Sequence, residues 1–314
     1  MENIIFTARV VAPVFIIIFL GLILKQRGLI DERFNAVTSK VVFNVAMPAL
    51  LLQKLSSIPI TEIFNFKQVI FVIAAICITF SLAWLFSFFF TKDGRDQGAF
   101  IQGAFRGNFA ILGFALIRNA FGAGALGNAA IVLAVIMPIY NVLSIICLTA
   151  PLQQASSASV WKTLVSILTN PLIIAAAIAL PFSIFQIPLH PIITTTTDYL
   201  AGMTLPLALI GIGSSLSLKS MHGDRKLTIW ASIYKLLVLP LLCTATAIWF
   251  GFRGQELGIL FFLFASPAAI ASYIMAEALG SNGRLAANIV LVSTLLSLFT
   301  ISVGIFILRT LHYF

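Results

Sequence analysis

Apolar stretches long enough to cross a bilayer follow one another along this chain with only short polar connections between them, and that pattern leaves few folds open. A spanning helix needs about 20 apolar residues. The sequence predicts ten, at roughly 8–24, 37–53, 68–90, 98–119, 127–150, 162–180, 196–218, 228–250, 256–278 and 286–308. Hydrophobic residues make up 60% of the chain and charged residues 9%, with a mean hydropathy of +1.08, so a soluble domain is excluded. The runs are continuous rather than alternating, which excludes the wall of a β-barrel. The expectation is an all-α polytopic membrane protein.

A repeat adds a second constraint. Pro13, Pro48, Gly122 and the run Ile131-Val132-Leu133 return 158 residues later as Pro171, Pro206, Gly280 and Ile289-Val290-Leu291. Two copies of a five-span unit are expected, 1–152 and 153–314, divided at the linker Pro151–Trp161. An odd number of spans makes the second copy enter the bilayer upside down. Inverted repeats with interrupted helices mark secondary transporters, whose site lies where the repeats meet.

The formal net charge of +9 invites a nucleic-acid reading, but the basic residues sit in membrane loops. With the amino terminus outside, inner loops hold 11 of the 19 Lys and Arg and outer loops 6, while Arg106 and Lys235 lie within spans. The positive-inside rule then places both termini outside the cytoplasm, in an inner (plasma) membrane. The amino terminus lacks a basic n-region and reads as a retained first helix. Cys77, Cys147 and Cys243 fall inside spans and read as buried small side chains. His190, His222 and His312 have no metal-ligand spacing, and no nucleotide-binding motif is present, so no enzyme, metal site or cofactor is expected.

Four segments then resemble a known family. Gly21–Leu55, GLILKQRGLIDERFNAVTSKVVFNVAMPALLLQKL, is similar to the span 1–loop–span 2 signature of the auxin efflux carrier family. Phe105–Gly122 and Ala265–Gly280 resemble its two crossover helices, and Asn288–Thr300 its final span. The resemblance covers essentially the whole chain. It implies ten transmembrane helices in two inverted five-helix repeats, with helices 4 and 9 broken and crossing near mid-membrane. Spans 1, 2, 6 and 7 would form a scaffold, often dimeric; spans 3–5 and 8–10 would form a transport domain moving small organic anions by an elevator-like motion. Two departures stand out: the halves are joined without the long cytoplasmic loop of many plant relatives, and Gly107 and Ala115 stand where relatives often carry proline.

The residues at the crossover support a site there. A broken helix exposes backbone groups that lipid cannot satisfy, so it survives only against protein or a wet cavity. Gly103, Gly107 and Gly113 loosen span 4, and Asn108 adds a donor and acceptor. The 158-residue offset sets Asn108 against Ser266 and Phe109 against Pro267. Half-helix amino termini offer free N–H groups and partial positive charge to a carboxylate. Arg106 is expected to attract the anion, to form a structural ion pair or to snorkel to the inner surface, because a charge at a helix centre costs about 2.5–3.5 kcal/mol. Asn44 in span 2 and Asn141 in span 5 complete the candidate substrate-binding set. Pro48 and Pro206 read as kinks in the scaffold helices, and Gly211 and Gly213 as points of close helix contact. Lys235 is expected to snorkel to the inner face. Asp198, read as a helix-start acid, and Glu277, read as a carboxyl raised by burial, are the coupling candidates.

The expected function is a secondary active transporter of a small organic anion, an auxin-like carboxylate or a dicarboxylate, coupled to H+ or the membrane potential. The alternatives are a sodium-coupled symporter of the same fold, or a non-transporting receptor or channel. Expected partners are the anion, the bilayer and a second copy through the scaffold helices, with no nucleic acid.

Overall fold

The structure is a computed structural model that describes residues 1–57, 59, 64–152, 165, 168–216 and 225–314. Among the described residues there is no strand beyond one isolated bridge. The helices are α1 (Glu2–Gln26), α2 (Glu32–Val41), α3 (Met47–Ser56), α4 (Phe66–Ser87), α5 (Gly94–Phe105), α6 (Phe114–Phe121), α7 (Ala125–Thr149), α8 (Pro171–Phe185), α9 (Pro191–Ser215), α10 (Arg225–Ile233), α11 (Leu239–Trp249), α12 (Gly254–Ala265), α13 (Ala271–Ala278) and α14 (Gly283–Thr310).

Among the described residues, six continuous stretches are long and apolar enough to cross a membrane: Glu2–Gln26, Glu32–Ser56, Phe66–Ser87, Ala125–Leu152, Arg225–Trp249 and Gly283–Thr310. Three shorter apolar helices, Phe109–Phe121, Pro171–Phe185 and Gly254–Ala265, lie between them. The chain is thus a polytopic helical membrane protein. The expected spans 4, 6, 7 and 9 are not among these six stretches. Spans 4 and 9 are cut at mid-length, α9 begins with a threonine-rich turn, and much of the first part of the predicted span 162–180 lies outside the described residues.

Local chemistry sets these elements. Asp31, Asn65, Asp93, Asn170 and Asn282 each accept a backbone N–H from the first turn of the helix they open, satisfying donors that a helix start leaves orphaned. Pro48 and Pro240 each follow a π-helical turn, Val42–Ala46 and Tyr234–Val238. A proline ring clashes with the carbonyl four residues back, here Asn44 and Leu236, and the wider turn relieves that clash. Gly122 and Gly280, one repeat interval apart, both stop a half-helix with positive φ, 81° and 78°, a conformation glycine adopts without strain. The two prolines of the repeat are less alike: Pro13 sits inside α1, whereas Pro171 opens α8.

Two sets of helices pack most extensively within themselves, and they meet where α1 contacts α6 and α14 and where α3 contacts α7. α1 lies along α9, and α3 packs on α8 and α9. In the other group α5 packs on α4, α7 and α14, and α14 also holds α10 and α13. The α1–α9 contact is backbone to backbone: a Cβ on Gly213 would run into the Ile18 carbonyl, and one on Gly21 into the Ile210 carbonyl. Gly211 instead faces Asn35. Cys147 and Cys243 are buried, but Cys77, expected inside, faces outward.

Candidate functional site

The site is built where α5 and α12 both stop. Phe105 ends α5, Arg106 turns extended (φ −82°, ψ 112°), and the chain resumes as a π-helical turn, Phe109–Gly113, leading into α6. On the other side Ala265 ends α12, Ser266 turns extended (φ −58°, ψ 136°), and α13 starts at Ala271. The two interruptions meet antiparallel, with Gly107 opposite Ala268. The Asn108 N–H donates to the Pro267 carbonyl at 2.7 Å, and the Ala269 N–H donates to the Arg106 carbonyl at 3.2 Å. The Ala268 N–H reaches the Ser293 hydroxyl at 3.1 Å. Each break thus satisfies backbone groups of the other, which resolves the cost of interrupting a helix away from water.

A cavity of about 740 Å³ opens beside this crossing. It runs from Lys25 and Glu32, near the α1–α2 turn, down to Arg106, Gly107 and Asn108. Asn44 lines it from the turn before α3, and Tyr140 and Met137 line it from α7. Phe109, Ala110 and Ile111 bring one half-helix start to the cavity, and Ala269, Ile270 and Ala271 bring the other. Orphaned N–H groups and the positive ends of two helix dipoles therefore face the same space. Among the described residues that line it Glu32 is the sole acid, and it lies 3.8 Å from Lys25 at the exposed mouth.

Arg106 is buried, at 6% exposure, yet among the described residues it has no carboxylate partner. Its guanidinium is held by neutral acceptors: Ser144 Oγ at 3.0 Å, Asn141 Oδ1 at 3.2 Å and Met275 Sδ at 2.9 Å. The ion pair weighed as one explanation of Arg106 is therefore not formed by the described residues. Asn141 acts through Arg106 and does not line the cavity. The Asn108 side chain is buried against the cavity and makes no hydrogen bond to another described residue. Asn44 lines the cavity with its amide already donated to the Lys40 carbonyl at 2.8 Å. Ser266 is turned away: its hydroxyl donates to the Phe262 carbonyl at 2.5 Å, closing the end of α12. Pro267 contributes its carbonyl rather than its ring.

Three expectations need correction. Glu277, expected to be buried, is exposed and outside the cavity. Asp198 lies two turns into α9, which begins at Pro191, accepts a hydrogen bond from the Gln53 side chain and does not line the cavity. Lys235 does not snorkel. It is completely buried, and its ammonium donates to the Phe264 carbonyl at 3.3 Å, directly behind Gly107. Tyr140 and Met275 were also missed. Tyr140 is spaced one turn before the Ser144 that holds Arg106, a helical register visible in the sequence; Met275 carries no such signal.

These features, crossed helix breaks beside a deep cationic cavity in a membrane-embedded helical chain, define a membrane transport protein. Residues 6–305 match the family described as membrane transport protein, and the chain belongs to it, the auxin efflux carrier family that the four segments resemble. An uncharacterized transporter of Methanothermobacter thermautotrophicus is 24% identical over 298 residues, covering 93% of this chain and 95% of that protein. An uncharacterized transporter of Methanocaldococcus jannaschii is 24% identical over 301 residues, covering 93% of this chain and 96% of the relative. The family is one of transporters, not enzymes.

Proposed function

We propose that this chain is a secondary active transporter of a small organic anion, a monocarboxylate or dicarboxylate, which binds at the crossing of the two broken helices. The observation that carries this reading is the arrangement of Arg106 and Asn108. A buried guanidinium without a carboxylate and an amide without a partner among the described residues face one cavity, beside two half-helix amino termini. A carboxylate supplies what that arrangement lacks: negative charge, and oxygens that accept from fixed donors.

The proposed architecture is ten spans in two inverted repeats, 1–152 and 153–314. The equivalent glycine stops at Gly122 and Gly280 and the mutual pairing of the breaks support it. Transport would be elevator-like, with spans 3–5 and 8–10 carrying the site past a scaffold of spans 1, 2, 6 and 7. The extensive mutual packing of α1, α3, α8 and α9, which also touch α6, α7 and α14 across the boundary, is consistent with that division. With both termini outside the cytoplasm of an inner membrane, the cavity mouth at Lys25 and Glu32 faces inward, so this conformation would load or release the anion on the cytoplasmic side. The scaffold helices would also carry a homodimer contact.

A thermal-shift screen of the purified protein against mono- and dicarboxylates tests the reading, because a ligand that binds the folded state raises apparent stability by mass action. The proposal expects at least one carboxylate to stabilise the wild type and not Asn108→Ala. A panel in which neutral or cationic analogues stabilise it equally well refutes an anion site.

A further inference from the structure

The Lys235 ammonium lies at the crossing, and the anion site described above does not use it. Lys235 is fully buried. Among the described residues no carboxylate lies within ion-pair distance of it. Its Nζ donates to the Phe264 carbonyl at 3.3 Å. A Cβ added at Gly107 would come within 2.9 Å of Nζ, 3.1 Å of the Leu263 carbonyl oxygen and 3.4 Å of the Ser266 carbonyl oxygen. The ammonium therefore fills a narrow space between the backbone of the first break and the last turn of α12. Because α12 stops at Ala265, its final carbonyls have lost their usual helical partners and form the negative end of a helix dipole. Backbone carbonyls at such an end are the ligands a hard cation such as Na+ takes. An ammonium, a compact charge with three donors, matches the same oxygens.

We propose that Lys235 is a tethered cation that stands in for a bound coupling ion: its ammonium holds the end of α12 against Gly107, fixes the backbone pairing that presents Asn108, and makes anion binding independent of sodium. This rests on the crossing being the anion site. It also gives Gly107 a physical reason, since a side chain there would displace the ammonium from the Phe264 carbonyl.

The test uses the full-length purified protein in choline, potassium, sodium or methylammonium chloride, with indole-3-acetate and succinate as probes. The readouts are the thermal midpoint without anion and the anion affinity. The wild type should give the same midpoint and affinity in choline, potassium and sodium. Lys235→Ala should bind the anion about tenfold more weakly, the scale of one charge-assisted contact. Methylammonium, which fits the vacated space, should restore its midpoint and affinity, whereas choline should not. Lys235→Met, which fills the space without charge, should be weakened and not rescued. Sodium raising the wild-type midpoint or affinity overturns the proposal. So does wild-type affinity in Lys235→Met, or a folded Lys235→Ala that methylammonium leaves unchanged. Should neither variant fold, the sodium response of the wild type decides. Should no carboxylate bind the wild type, the anion reading fails, while a methylammonium-dependent midpoint confined to Lys235→Ala still supports the tethered cation and its absence overturns it.

Discussion

Replacing Arg106 with glutamine removes the charge at the crossing and keeps a polar side chain of similar reach. In the wild type the guanidinium is 6% exposed and rests on Ser144, Asn141 and Met275, none of which neutralises it. Its positive charge is therefore available to a ligand in the cavity. A carboxylate about 4 Å away at an effective dielectric constant near 20 gains at most about 4 kcal/mol. The net value of a charge-assisted hydrogen bond is smaller, about 1.5–3 kcal/mol. At 1.4 kcal/mol per tenfold, Arg106→Gln should weaken carboxylate binding roughly 10- to 150-fold. Stability without ligand should not fall, because an unneutralised charge at a helix centre costs about 2.5–3.5 kcal/mol and the variant removes it. Titration calorimetry on protein in nanodiscs gives the affinity, and a thermal scan without ligand gives the stability. Unchanged affinity together with a lower midpoint would show that Arg106 serves packing alone, and the reasoning would be wrong.

Asn108→Ala should abolish measurable anion binding while the thermal midpoint without ligand stays near wild type, since the pairing to Pro267 uses the backbone. Gly213→Val should destabilise the protein by about 1–3 kcal/mol, the usual cost of overpacking, because its side chain meets the Ile18 carbonyl; a thermal midpoint equal to wild type would contradict the α1–α9 contact. Glu277→Gln and Asp198→Asn should leave anion affinity and its pH dependence unchanged, as both acids lie outside the cavity; a lost pH dependence in either would restore it as a coupling group. Asp31→Cys, with the native cysteines replaced, should react with an impermeant maleimide from the cytoplasmic side only, and labelling from the outside would reverse the orientation.

The membrane class and the positions of the interruptions were legible in the sequence because both follow from local composition. Glycines 103, 107 and 113 and Pro267 announce breaks, since glycine costs helix stability and proline removes a donor. The pairing of the breaks was visible only as an offset between repeats. The actual register, Gly107 opposite Ala268, comes from backbone hydrogen bonds that no side-chain pattern encodes. Charge was harder to read. A lysine eight or so residues into a span can snorkel or turn inward, and only the cut end of α12, brought close by tertiary packing, makes the inward choice favourable for Lys235. Glu277 shows the converse: proximity in sequence to a core segment does not mean burial; Asp198, read as a helix-start acid, lies further in because the helix begins at Pro191. Arg106 lay between these cases. Its place at the break was readable, but its neutral partners Ser144 and Asn141 come from a helix some 35 residues later.

The proposed carrier presents one anion site at the crossing to each side of the membrane in turn. Counterflow in proteoliposomes preloaded with unlabelled carboxylate tests it most directly. The account predicts saturable uptake of labelled carboxylate, accelerated by internal substrate, in the wild type and none in Asn108→Ala. Flux that rises linearly with concentration and ignores internal substrate would indicate a channel, and binding without any flux a receptor; either result contradicts the account.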